Sequence, residues 1–200
     1  SAWLASRRVA KAAAIVAGAA GVPVSAVYLL AFGSAVAMAE RAPGAGIFAI
    51  SANRFTPGAA RSVRKATMTM PVFVPAPARD SFAAALTACA AQQLQGHRFA
   101  NADPAGTEAM CQEILAGLYG TGVAYPRFSF FEADLPLPAG AGEVVFSRPR
   151  LLGARYMLTV THGPSSALLD LQYGDDTCWG PEAEGMLVHM EDLIVQAAGR

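Results

Sequence analysis

The chain reads as an α+β domain: a mixed sheet of about six strands packed with about five helices, in the order ααββααββββα. Three observations predict it. Two largely apolar, helix-forming segments open the chain. Several short runs then alternate apolar and polar residues with a period of two. An amphipathic helix closes it. With 200 residues, the chain is long enough for one domain with a sizeable core, spanning 1–200.

The first helix is expected over Ala2–Ala19 and the second over Pro23–Arg41. Gly21-Val22-Pro23 separates them, because glycine suits the end of one helix and proline the first turn of the next. Val27, Tyr28, Leu29, Leu30, Phe32, Val36 and Met38 lie all round the second helix. A helix apolar on every side is buried on every side. Pro43-Gly44-Ala45-Gly46 breaks the chain, and Ile47–Ser51 reads as a short buried strand. Asn53–Gly58 is a polar turn. Thr67–Val74 alternates, with Met68, Met70, Val72 and Val74 on one face; Pro71 makes it an edge strand or places a bulge in it.

After Pro75-Ala76-Pro77, a helix is expected from Asp80 or Ser81, with Phe82, Leu86 and Cys89 on one face. Another covers Glu108–Leu118 and carries Met110, Cys111, Ile114, Leu115 and Leu118; Gly120 and Gly122 end it. Four strands follow, over Arg127–Phe131, Glu143–Ser147, Arg155–Thr161 and Ala167–Tyr173. His162-Gly163-Pro164-Ser165 forms the hairpin turn between the last two. The final helix, Pro181–Ala198, has an apolar stripe of Met186, Leu187, Met190, Leu193 and Ile194.

Composition narrows the function. Lys+Arg number 15 and Asp+Glu 15, so net charge is zero, which argues against nucleic acid as a partner. The apolar fraction of 54% excludes disorder. Charged residues make up 15%, against roughly 25% in an average soluble domain. Either the chain meets a membrane, or an apolar face meets a partner. Arg7, Arg8 and Lys11 precede an uncharged run from Ala12 to Ala39, as in a signal or a membrane span. Gly21-Val22-Pro23 cuts that run into halves shorter than the roughly 20 residues a span needs. The expectation is two helices of a cytoplasmic protein, with no membrane partner.

No catalytic constellation stands out. There is no phosphate loop, no GxGxxG and no GxSxG. Cys89, Cys111 and Cys178 are scattered and odd in number, which argues for buried thiols rather than disulfides or zinc. His97, His162 and His189 show no ligand spacing, and no metal site is expected. His162 reads as a turn residue, His97 as a residue at a helix end, and His189 as a neighbour of the final apolar stripe. Asp175-Asp176, Glu182/Glu184 and Glu191-Asp192 read as solvated acids. Cys178, before the last helix, reads as buried beside Trp179 rather than reactive.

From Gly21 to Pro104 the chain resembles the C-terminal lobe of condensation domains of nonribosomal peptide synthetases. The resemblance rests on Gly21-Val22-Pro23-Val24-Ser25-Ala26-Val27 opening a helix, then Asn53-Arg54-Phe55-Thr56-Pro57-Gly58, then Val63–Val72 where the family has Val-Gly-x-Phe-Val-Asn-Thr-Leu-Pro-Leu. Ser81-Phe82 opens the next helix, with His97 near its end. Leu168–Tyr173 and the helix to Ala198 resemble the family's last strand and helix. The family's Gly, Phe and Asn stand here as Arg64, Ala66 and Met68, so the role of that strand does not carry over.

The resemblance implies one lobe of a chloramphenicol acetyltransferase-like fold, in the superfamily of CoA-dependent acyltransferases. The family's His-His-x-x-x-Asp-Gly motif belongs to the N-terminal lobe, and this chain has no His-His pair. The implied function is half of an amide- or ester-forming condensation domain in natural product biosynthesis, inactive alone. Its implied partners are the N-terminal catalytic lobe and carrier proteins bearing phosphopantetheine, with no cofactor bound directly. Substrate-tunnel or lobe-structure candidates are Asn53, Arg54, Thr69 and Ser129. Their plainer roles are turn capping for the first two and strand-face polarity for the others. A lone lobe exposing its partner face is expected to form a homo-oligomer. Two alternatives stand beside this reading. One is a CoA-dependent acyltransferase of the polyketide-associated or wax ester synthase type. The other is a noncatalytic interaction or membrane-associated module.

Overall fold

In a computed structural model, the structure describes residues 1–51, 68–75, 82–102, 104–119, 125–133, 144–146, 155–174 and 180–199. Among these described residues, seven strands and five helices follow in the order β1 (Ala2–Ser6), α1 (Arg7–Ala20), α2 (Val24–Ala39), β2 (Gly44–Ser51), β3 (Met68–Pro75), α3 (Phe82–Ala102), α4 (Pro104–Tyr119), β4 (Arg127–Glu132), β5 (Val144–Phe146), β6 (Tyr156–His162), β7 (Ala167–Tyr173) and α5 (Gly180–Ala198). The expected α+β class and the order of the later elements are observed. The start of the chain differs, because its first residues form a strand where a helix was expected.

That strand has a physical reason. β1 inserts between β7 and β5, pairing antiparallel with both. Ala2, Leu4 and Ala5 are buried there. Ser6 then caps α1 in extended conformation; its Oγ accepts from the Val9 N–H at 3.1 Å and donates to Glu191 Oε1 at 2.8 Å. The arginines that follow, Arg7 and Arg8, are exposed, and Arg8 Nε lies 3.6 Å from Glu191 Oε1.

Gly21 ends α1 in the left-handed region at φ 65°, and its neighbour closes a six-to-one bond, Val22 N–H to Ala17 O at 3.1 Å. Pro23 stands as the N-cap of α2, one residue before the helix begins. α2 is the central helix of the molecule. Its residues from Ala26 to Ala37 are all buried, as its all-round apolar pattern requires. It ends in the same six-to-one closure, Ala42 N–H to Ala37 O at 2.9 Å, with Arg41 at φ 52° in the place glycine usually takes.

The sheet runs β3-β2-β4-β6-β7-β1-β5. β2, β4 and β6 are parallel neighbours; every other pairing is antiparallel. β3 is an edge strand, so Pro71 costs no ladder bond there. On that edge the Phe73 N–H donates to Gln92 Oε1 of α3 at 3.1 Å, which covers one exposed donor.

One sheet face carries the core. Ala2, Leu4, Met70, Val72, Val74, Phe128, Leu158, Val160, Leu169 and Leu171 meet α1, α2, α3 and α5 there. Phe82, Leu86 and Cys89 of α3 are buried as their spacing predicts, and so are Met186, Leu187, Met190 and Ile194 of α5. Two helices come close to β3 at a glycine, α2 so close that a side chain is excluded. A Cβ on Gly33 of α2 would stand 2.4 Å from Val74 Cβ, and one on Gly96 of α3 would stand 3.1 Å from Met70 Cβ. On the opposite face a small separate cluster joins Cys111 of α4 to Phe48 and Tyr125. α4 buries little else among its described side chains: Met110 and Ile114 are 44% and 46% exposed.

Candidate functional site

The three parallel strands place their carboxyl ends at one end of the sheet. From β2 the chain leaves toward the β3 edge; from β4 it leaves toward β5 at the other edge. The direction of winding therefore reverses between β2 and β4. In open sheets with parallel strands, ligands bind in the crevice outside the carboxyl ends at such a reversal. Phe131 and Glu132 end β4 and are exposed; His162 ends β6 and is half-buried.

His162 points to the core side of the sheet. It shares its face with Tyr156, Leu158 and Val160, and its Cα pairs with Glu132. Its Nδ1 lies 3.0 Å from the hydroxyl of Tyr28, a fully buried residue of α2. The Phe130 ring stacks on the imidazole at 6.3 Å and 27°, and also flanks Tyr28 at 6.0 Å. Burial holds His162 below the ordinary histidine range, opposed by the nearby Glu132 carboxylate. Burial pushes the Tyr28 phenol well above its ordinary value, so it keeps its proton.

The sequence assigned His162 to a turn. The hairpin is there, closed by Gly163 N–H to Ser166 O at 2.8 Å, but His162 is the last residue of the strand before it. The signal for its partnership was present in two halves: the parity of β6, and a hydroxyl on a helix buried all round, which needs an acceptor.

The candidates Thr69 and Ser129 fall in one register row on the face away from the main core. The row runs Thr69, Ile50, Ser129, Thr159, Asp170, Trp3 across six strands. Thr69 and Ser129 are two strand spacings apart, about 10 Å, with Ile50 between them. Ser129 is buried and Thr69 half-buried. Asn53 and Arg54 lie outside the described residues, as do Asp175, Asp176, Cys178 and Trp179.

The remaining titratable groups join elements. His189 Nε2 of α5 lies 3.0 Å from Ser34 Oγ of α2, and burial lowers its pKa against the pull of Asp192. His97 lies within α3, five residues before its end, and burial lowers its pKa as well. Glu40, just after α2, pairs with Arg155 at 3.2 Å, and Arg155 also lies over the Tyr156 ring. Glu182 and Glu184 are exposed, as solvated acids should be, whereas Glu191 is drawn into the Ser6–Arg8 cluster. Among the described residues, no group of three or more His, Cys, Asp or Glu is placed to hold a metal ion. No single helix there is long and apolar enough to cross a membrane. α1 and α2 reach that length only together, as a pair bent by 110°.

No protein-family model matches the chain, and no curated protein matches it. Solved structures do. A structure described as the molecular basis for condensation domain-mediated chain release from the enacyloxin polyketide synthase matches 98% of this chain with TM-score 0.74 and 14% identity. PapA2 acyl transferase matches 99% with TM-score 0.73 and 14% identity. The SgcC5 protein from Streptomyces globisporus matches 100% with TM-score 0.71 and 15% identity. The chain spans 40%, 44% and 48% of those chains, respectively, less than half of each. It therefore has the fold of one lobe of a condensation domain or acyltransferase of this shape, as the resemblance in its motifs implied.

Proposed function

We propose that the chain is the C-terminal lobe of a condensation-type acyltransferase that acts on carrier-bound thioesters in natural product biosynthesis. One observation carries the reading: nearly all of this chain superposes on less than half of the condensation and acyl transferase structures it matches. In this reading the chain forms one wall of a substrate tunnel. The N-terminal lobe supplies the catalytic histidines, and carrier proteins deliver phosphopantetheine-bound acyl groups. The exposed Met110, Ile114 and Phe131 are consistent with a surface made to meet another lobe.

The test is reconstitution. The chain is mixed or co-expressed with an N-terminal lobe carrying His-His-x-x-x-Asp-Gly, taken from immediately upstream in the encoding DNA. Amide or ester formation is then followed with loaded carrier proteins. The expected outcome is turnover by the pair and none by this chain alone; robust turnover by the chain alone overturns the half-enzyme assignment. The likeness to PapA2 acyl transferase supports a second reading, in which the acyl donor is coenzyme A. Supplying acyl-CoA in place of the loaded carrier in the same assay separates the two.

A further inference from the structure

We infer that the β3 edge of the sheet is closed to a further strand, a second copy's β3 included, and that Pro71, Pro75 and Gln92 close it. Met68–Pro75 is eight residues long, holds no charged residue, and pairs with β2 in unbroken register, so no bulge bends it away. It ends the sheet. A long edge without charge is a template on which another chain can pair. Shortness, charge and bulges, the usual guards of an edge, are missing from β3.

One hydrogen bond shows which way the backbone of β3 faces. The Phe73 N–H donates to Gln92 Oε1 of α3 at 3.1 Å, so it is turned away from β2. In an antiparallel pair, alternate residues point their N–H and C=O groups outward. Positions 69, 71, 73 and 75 therefore face the open side, and Met70, Val72 and Val74 face β2. Both prolines of β3 fall on outward positions. A proline has no N–H to offer a new strand. At 70, 72 or 74 it would instead have cost a ladder bond to β2. With the Phe73 N–H already bound, a strand laid alongside finds at most one main-chain donor, at Thr69.

The partner this excludes is a β-strand. Two copies meeting edge to edge would run β3 antiparallel to its twin about a two-fold axis, each giving donors to the other's carbonyls. In any register most of the outward carbonyls would find no N–H opposite them, and would lose their water as well. Self-association of the chain therefore runs through side-chain surfaces and leaves the backbone of β3 out. The inference holds whatever reaction the chain takes part in.

The test restores the donors in the whole chain. P71T/Q92A/P75T is expected to about double the mass of the wild-type species in light scattering at equal concentration, and to protect the amides at positions 71, 73 and 75 from hydrogen exchange. Q92A alone is expected to speed exchange of the Phe73 amide about 5-fold, the worth of one neutral hydrogen bond. Its mass should stay that of the wild type, because both prolines still stand, and the Val72 and Val74 amides should not change. A triple variant with the wild-type circular dichroism spectrum and the wild-type mass overturns the inference. So does a Phe73 amide whose exchange Q92A leaves untouched. If the triple variant does not fold, P71T/Q92A, which keeps Pro75, takes its place; folded and at wild-type mass, it overturns the inference too.

Discussion

Arg41 shows at the scale of one residue how a sequence can miss its own ideal. It occupies the left-handed position that closes α2, with φ 52° and an exposed side chain. A non-glycine residue pays about 1 kcal/mol there. R41G is expected to raise stability by about 0.5–1 kcal/mol, measured by chemical denaturation, because the six-to-one bond to Ala37 is kept. The histidines give a second prediction. His97, His162 and His189 are all held below their ordinary range by burial. The unfolded chain takes up these protons near pH 6.5, before the folded chain does. Their stabilising contribution is complete above about pH 6.5 and is lost as pH falls through the lower folded values. Thermal melts from pH 7.5 to 5 should show Tm falling. A Tm that holds steady, in a variant with all three histidines replaced by glutamine, would assign the fall to them. Burial also pushes the Cys89 thiol up to about 12, so it should resist alkylation in the folded chain at pH 8.

Elements were legible where their pattern was internal to them. α2, α3, α5, β6 and β7 announce themselves by period and by the glycine and proline between them, and the structure keeps those faces. β1 was not legible, because five residues followed by a long helical pattern look like more helix. The missed signal was Ser6, a capping residue directly ahead of Arg7. The site was legible only in fragments. Thr69 and Ser129, named as tunnel or lobe-structure candidates, share a row of the sheet, yet no spacing in the sequence joins Tyr28 to His162, 134 residues apart. Contact between α2 and β3 is likewise a tertiary fact. G33A replaces a weak helix former by a strong one, worth up to about 1 kcal/mol in an open helix. Here the new methyl would meet Val74 at 2.4 Å. Overpacking costs about 1–3 kcal/mol, so the clash should win and the variant should unfold at lower denaturant.

At the scale of the whole molecule, the 54% apolar content has two destinations. Much of it fills the layer between the sheet and α1, α2, α3 and α5. Among the described residues some of the rest lies outside, on Ile15, Met38, Leu94 and Val188 of the helices as well as on Met110 and Ile114 of α4, on Phe131 and on Phe73, which is 43% exposed. Large exposed apolar groups promote association. Light scattering of the purified chain should report a dimer or larger species, and adding the N-terminal lobe should convert it to a one-to-one complex. A clean monomer at high concentration would count against a face made for a partner.

The place of β1 has a consequence for how the protein is made. Its five residues leave the ribosome long before their neighbours in the sheet, residues 144–146 and 167–173. At about 5–20 residues per second, β1 waits roughly ten seconds or more for a strand to pair with. Throughout that time α2, the most apolar helix, has neither β6 nor α5 to cover it. Newborn chains of this fold should therefore depend on a chaperone until β7 and α5 have been made.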